Sequence, residues 1–378
     1  MVRQPPQGLG WCALLGLVIL LALSIQSAQA ADLAIPLSGS WAFRIDRQGQ
    51  GLQEKWFATA LPDTIKLPGS MAENALGDAV SPNTPWTGQI VDRSWFTEPQ
   101  YEKYRQPGST KVPFWLTPVR YYVGPAWYQR QVTIPQDWAG QRITLFLERP
   151  HWETRLWVDD KEIGTQNSLS TPHVYDLSNV TPGTHRLTLC VDNRVKVDVG
   201  VNAHSVSDHT QSNWNGIVGK IELRATSPVW VDDIQVYPDV PTKKARIRLT
   251  LGNTTGQAIR GSLKLAAASG QHQAPAQQAP FTAEGAQTTV EVDYALGEQA
   301  LLWSEHTPNI YTLDVSLSSE AGGKTLAHQK VTTFGLRDFR ANGTQFAMNG
   351  KPVFLRGTLE CCIFPPHGLS ANGCGVLA

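Results

Sequence analysis

The chain has few cysteines and no surplus of either charge, and each shortage removes a class of function. Its 32 Lys plus Arg are matched by 32 Asp plus Glu, so no broad basic field exists to hold nucleic acid or an anionic membrane surface. Of the five cysteines, Cys12 falls in an N-terminal leader. The spacing of Cys190, Cys361, Cys362 and Cys374 matches no zinc or redox motif, and Cys190, in an alternating apolar run, is expected as a buried free thiol. After Ile25 no apolar run approaches the roughly 20 residues of a membrane helix, and no helical period of any length appears between residues 31 and 226. Three Met stand against 13 Trp. Indole suits stacking on sugar rings, while filling a sandwich core is its commoner use.

What is present begins with the leader. Arg3 precedes an apolar run, Trp11 to Ile25, which ends in Ala28-Gln29-Ala30. A basic start, a run shorter than a membrane span and a small-x-small site make residues 1–30 a secretory signal peptide, with an uncleaved anchor as the alternative. The mature chain is expected to begin at Ala31, to be exported to a periplasmic or extracellular space, and to have no membrane partner once the leader is gone. That compartment permits disulfides.

Beyond the leader, short runs of period-two alternation are broken by Pro, Gly, Asn or Asp. WYQRQVTI from Trp127, RITLFLE from Arg142, TRLWV from Thr154 and HRLTLCV from His185 each put one face on a core. This is the pattern of an all-β sandwich. The first region, 31–226, closes with IVGKIEL from Ile217. A second, 227–333, opens at Val229 and carries strands at Ala245–Leu251, Gly261–Leu265, Thr288–Val292, Ile310–Leu317 and His328–Thr333, a count that suits an immunoglobulin-like sandwich. Ala266–Pro280, rich in Ala, Gln, Gly and Pro, reads as an exposed loop. Ser81–Pro125 reads as an insertion or long loop, and Trp86, Trp95, Trp115, Tyr121 and Tyr122 argue that it is ordered. From Phe334, Gln345–Met348, the turn Asn349-Gly350 and Pro352–Arg356 read as a hairpin followed by a strand. Asn179, Asn253 and Asn342 begin Asn-x-Ser/Thr sequons.

Two groups of residues invite a chemical reading. Glu148 and Glu153 flank His151-Trp152, and paired carboxyls are what glycoside hydrolysis needs, but surface charge or local hydrogen bonding is the stronger account of residues on alternating strands. Asn202 to Gln211, just before Asn213-Trp214-Asn215-Gly216, gathers His204, Asp208, His209 and Gln211. A metal site from His204, Asp208 and His209, a sugar-contacting loop and a solvated loop all compete. Metal is the weakest, since adjacent Asp208 and His209 must point at one centre and a fourth ligand is lacking. Neutral His, Asn, Gln and Trp suit hydroxyl recognition. No catalytic residue, metal or cofactor is assigned.

Four passages in this order resemble the N-terminal half of glycoside hydrolase family 2, the family of β-galactosidases, β-glucuronidases and β-mannosidases. They are Gly124-Pro125-Ala126-Trp127-Tyr128 to Asp192-Asn193-Arg194, with LWVDDKEIG and HVYDLS inside it; NWNGIVG from Asn213; Trp303-Ser304 with PNIYTL from Pro308; and Thr333-Phe334-Gly335-Leu336-Arg337 with Asn349-Gly350-Lys351-Pro352 and Leu355-Arg356-Gly357. The resemblance implies a jelly-roll sugar-binding domain at 31–226, an immunoglobulin-like domain at 227–333, and at 334–378 the start of a catalytic TIM barrel cut at its first strand. The family's two catalytic glutamates match no residue here. It favours sugar contact for His204, Asp208, His209, Gln211, Asn213 and Trp214, since the segment before the WNG passage reaches toward the barrel mouth in related enzymes. The expected partners are therefore an oligosaccharide or glycoside and a missing barrel, with a free-standing carbohydrate-binding or interaction module as the rival. The tail from Pro365 breaks the β pattern and the resemblance together, which is expected of a one-base shift of reading frame near Pro366.

Overall fold

The computed structural model describes residues 33–88, 92, 94–112, 118–200, 203, 206–208 and 213–358. Residues 1–32, read above as a leader and the first residues after it, lie outside them, as do Trp115, Cys361, Cys362, Cys374 and the tail. Within them the chain is all-β: strands dominate, with one short α-helix, Ser94–Thr97, and brief 3-10 turns.

Two antiparallel sheets form the first sandwich. A 5-stranded sheet sets Leu33–Pro36 beside Gly216–Thr226, Arg142–His151 and His173–Asp176, with Gly69–Ser70 pairing Gly216–Thr226. A 6-stranded sheet runs Asp63–Leu67, Gly39–Ile45, Pro125–Ile134, Gly183–Asp192, Glu153–Val158, Lys161–Gln166. Tyr128, Leu156 and Leu189 from one sheet meet Leu145, Ile217 and Leu223 from the other in a shared core. Alternation puts Trp127 and Trp157 on the outer face of the larger sheet. They are nevertheless buried, because Trp56 and Phe57 fold over them and Phe57 stacks on Trp157 with ring centroids 5.2 Å apart. Asp46 pins this cover: its carboxylate accepts from Trp127 Nε1 at 3.1 Å and Gly51 N at 2.9 Å. Gly51 is required by close approach, since a Cβ there would lie 2.3 Å from Trp127 Nε1. Cys190, a half-buried free thiol, packs beside these rings, and burial raises its pKa.

The second sandwich packs Val229–Asp239, Lys244–Asn253 and Gln287–Ala295 against a 5-stranded sheet of Ile259–Ser269, His272–Gln273, Gln277–Ala283, Tyr311–Ala321 and Lys324–Phe334. Leu249, Leu263, Tyr294, Tyr311 and Val315 fill its core. The expected loop at Ala266–Pro280 is corrected here. Ile259–Ser269 runs into it, the chain turns at Gly270 (φ 55°), and Gln277–Ala283 pairs back from Leu265↔Gln277 to Ile259↔Ala283. Ala and Gln carry too weak an apolar signal to show this pairing, which the neighbouring strand's hydrogen bonds impose. Ala267 and Ala274 are buried in it.

Phe339–Asn342, Gln345–Met348 and Lys351–Val353 make a 3-stranded meander. Its second turn is Asn349-Gly350, with φ of 50° and 78°, the left-handed pair that a tight hairpin requires. Phe354 and Leu355 follow it exposed, and no strand pairing includes Leu355–Gly357 among the described residues.

Candidate functional site

The WNG passage lies where the inner strand Gly216–Thr226 begins, at one end of the first sandwich. Gly216 crosses so close to Gly69 that a Cβ would sit 2.4 Å from the Gly69 carbonyl. Just before it, Asn215 is spent on the frame. Its Nδ2 donates to the carbonyls of Gly124 at 2.9 Å and Val191 at 3.0 Å, and its Oδ1 accepts from the Tyr128 hydroxyl at 2.6 Å. Trp214 stacks on His151 with centroids 4.7 Å apart. His151 Nδ1 lies 2.6 Å from the Trp214 carbonyl, which only accepts, so Nδ1 carries the proton.

Asn193 and Asn213 extend the frame. Asn193 Nδ2 donates to Asn213 Oδ1 at 2.9 Å and to the Tyr122 carbonyl at 2.9 Å, while its Oδ1 accepts from Gly124 N. Asn213 Nδ2 donates to the Thr87 hydroxyl at 2.9 Å and to the Asn193 carbonyl at 3.1 Å. Buried amides that satisfy both ends in this way rigidify a loop cluster, because each broken bond would strand a desolvated group.

Asp208, only 3% exposed, is the charged centre of the cluster. Its Oδ2 accepts from Thr87 N at 2.8 Å and from the Tyr121 hydroxyl at 2.9 Å, and its Oδ1 accepts from Asn213 N at 2.9 Å. Burial raises its pKa to about 6, against the three donors that pull it down. Tyr121 is pushed up as well, by burial and then by the Asp208 charge.

Of the six residues singled out in the sequence, the structure brings Asp208, Asn213 and Trp214 together and buries all three. His204, His209 and Gln211 lie outside the described residues. Thr87, Tyr121 and Asn193 complete the cluster. Nothing local marks Thr87, and Tyr121 stands out only as one of the aromatics of its segment; they lie 121 and 87 positions from Asp208.

Neither glutamate beside His151 is free for acid–base work. Glu148 Oε2 accepts from Lys220 N at 2.8 Å, closing the bulge in Gly216–Thr226. Glu153 pairs with Lys196 at 3.0 Å, and Lys196 also holds Asp192. Among the described residues no group of three or more His, Cys, Asp or Glu gathers to hold a metal. A cleft of about 840 Å³ between Ala139–Gln141 and the second sandwich is lined by hydroxyls, Lys264 and Lys324. Its one carboxylate, Asp314, is taken by Gln329 and Ser316. The described site therefore offers a rigid, hydrogen-bonded frame rather than a reacting pair.

Residues 35–227 match the model for the sugar binding domain of glycosyl hydrolases family 2, and residues 229–337 match a second model of the same family. The chain is 23% identical over 339 residues to a β-glucuronidase of Paenibacillus borealis, covering 85% of this chain and 48% of that protein. It is 23% identical over 355 residues to the β-galactosidase large subunit of Latilactobacillus sakei, covering 89% and 51%. Among solved structures, Ruminococcus gnavus β-glucuronidase in complex with D-glucuronic acid superposes with a TM-score of 0.61 at 18% identity, over 91% of this chain and 52% of that one. Bacteroides uniformis β-glucuronidase 2 superposes at 0.64 with 20% identity, over 89% and 36%. At these identities the structural likeness establishes the fold, and the chain spans about half the length of the curated relatives it matches.

Proposed function

Because the chain belongs to glycosyl hydrolases family 2, we propose that it is the sugar-recognising, non-catalytic part of an exported β-glycosidase, partnered by a catalytic TIM barrel. The observation that carries this reading is the frame around Asn213. Asp208, Asn213 and Asn215 commit their polar atoms within the chain, which holds these three residues at the end of the first sandwich. In segment 202–214, His204, His209 and Gln211 supply the hydroxyl-recognising chemistry, and Asp208, Asn213 and Trp214 serve recognition by holding the segment. Hydrolysis needs two carboxyl groups about 5 to 10 Å apart on a rigid scaffold. Glu148 and Glu153 are committed to the fold instead.

Binding and turnover of residues 31–378 test this. Titration with phenyl β-glucuronide and phenyl β-galactoside, the glycosides named by the relatives, is expected to give saturable binding of at least one, with no release of nitrophenol from the nitrophenyl glycosides above blank. No binding of either sinks the recognition role. Turnover that vanishes in a single Glu→Gln variant sinks the non-catalytic one. A second reading, a free-standing carbohydrate-binding module, is favoured by the separate closed core of each sandwich. It predicts binding that a separately expressed barrel leaves unchanged.

A further inference from the structure

The cleft between the two sandwiches takes no part in the frame around Asn213. Strands Arg142–His151 and Gly216–Thr226 reach from the WNG passage to the junction, where Arg142 lies opposite Thr226, so the two places stand about 30 Å apart at the rise of a strand. At the junction Arg142, next to Gln141 of the cleft wall, stacks over the Trp230 ring at 4.1 Å and joins the sandwiches there.

One wall is the outer face of the 5-stranded sheet of the second sandwich. Leu263, Leu265, Val315 and Leu317 point into the core, so alternation turns Lys264, Asp314, Ser316 and Ser318 outward. Lys264 stands opposite Ser316, and the hairpin after Ser318 brings Lys324 back opposite Ala321. Ser316 and Ala321 lie on one strand with a lysine strand on either side, which puts the two lysine Cα atoms about 20 Å apart. Residues 139–141 and Ser227 form the facing wall.

Negative charge in this cleft is already satisfied, whereas positive charge and donors are not. The Asp314 carboxylate accepts from Gln329 Nε2 and, at 3.1 Å, from the Ser316 hydroxyl. Exposed Glu320, beyond the lining, accepts from the Thr325 hydroxyl at 2.7 Å. Elsewhere Lys196 and Lys243 pair with Glu153 and Glu298, but Lys264 and Lys324 meet no carboxylate among the described residues. Ser227, only 6% exposed, accepts from Val229 N at 3.4 Å, and its own proton reaches no acceptor among the described residues. Beside it the buried Thr226 hydroxyl has no partner among them. Such donors cost stability that a ligand oxygen would recover. His328 lines the cleft as a neutral ring, since its Nδ1 accepts from Val231 N at 3.1 Å.

We propose that the cleft binds an acidic oligosaccharide, a chain of hexuronate rings. Lys264 and Lys324 each pair with a ring carboxylate at one end, and Ser227, Ser318 and Gln141 donate to ring oxygens between them. The volume of about 840 Å³ lies toward the top of the range for ligand sites. A single carboxylate or phosphate reaches one lysine only, and a neutral sugar engages neither charge. This inference goes beyond the reading of segment 202–214 and does not depend on it.

Titration of the full chain with trigalacturonate, its methyl ester and inorganic triphosphate tests the proposal. The ester keeps the hydroxyls without the charge, and triphosphate keeps charge without the hydroxyls. Trigalacturonate is expected to bind at about millimolar concentration or below, about tenfold more tightly than either control. The amides of Gln141 and Ser318 should shift while those of Tyr128 and Asn215 stay flat. Lys264→Gln and Lys324→Gln, both at exposed positions, should each weaken binding about tenfold and together about a hundredfold. No binding of trigalacturonate, equal binding of the ester or of triphosphate, or wild-type affinity in the double variant overturns the proposal. So do shifts confined to residues 213–216, which put the ligand at the WNG end instead. Failure of the phenyl glycosides to bind overturns only the reading of segment 202–214.

Discussion

Asn213 Nδ2 donates to the hydroxyl of Thr87 at 2.9 Å across 126 positions of the chain. That one contact ties the start of the WNG passage to Thr87, in the segment that precedes the strand Pro125–Ile134 of the 6-stranded sheet. It shows why the amides of this passage matter: they are joints between loops, and their loss should be read as mechanical before it is read as chemical.

Asn215 is the most heavily loaded of these joints. Asn215→Ala strands the Gly124 and Val191 carbonyls and the Tyr128 hydroxyl in a buried site. The expected loss is about 3 kcal/mol of folding stability, read as a lower urea midpoint at unchanged slope. Asn215→Asp should fare little better, because it replaces a donor with an acceptor facing two carbonyls.

The Asp208 carboxyl makes stability depend on pH in an unusual direction. Unfolded, it titrates near 3.8, and folded near 6. Between these values the folded chain keeps a proton that the unfolded chain has lost. Its contribution is therefore full below the lower value and declines as pH rises through the upper one, by about 3 kcal/mol in all. Asp208→Asn flattens this decline. His173, whose pKa burial lowers from 6.5, acts in the opposite sense, its contribution falling away as pH drops below the unfolded value. The difference between variant and wild-type stability curves isolates Asp208.

Gly51 gives a test of the aromatic cover on the outer sheet. Gly51→Ala forces a methyl against the Trp127 indole, and the cover must lift or the ring must turn. A loss of about 1 to 3 kcal/mol is expected, together with a red-shifted tryptophan emission as Trp127 and Trp157 meet water.

Export should trim the chain after Ala28-Gln29-Ala30. Intact mass of the secreted product is expected to start at Ala31. Full-length protein retained in the membrane fraction would show that the leader acts as an anchor.

Much of the fold is written in local pattern. The alternation of Trp127 to Ile134 and of His185 to Val191 specifies strands because side chains on a strand point to opposite faces, and Asn349-Gly350 specifies its turn because both residues tolerate positive φ. The family resemblance was legible for the same reason, since its passages sit at strand ends and turns where few residue types fit. Three things were settled only by the assembled structure. Most of Ala266–Pro280 became strand because its neighbour supplied hydrogen-bond partners, which small polar and alanine side chains do not announce. Trp127 and Trp157 became core on a face that alternation assigns to solvent, because Trp56 and Phe57 return from far along the chain to cover them. Asp208 acquired its hydrogen-bond partners Thr87 and Tyr121 from segments remote in sequence. Strand and turn follow from sterics within a few residues, whereas burial and the partners of a buried charge depend on which distant segments arrive beside it.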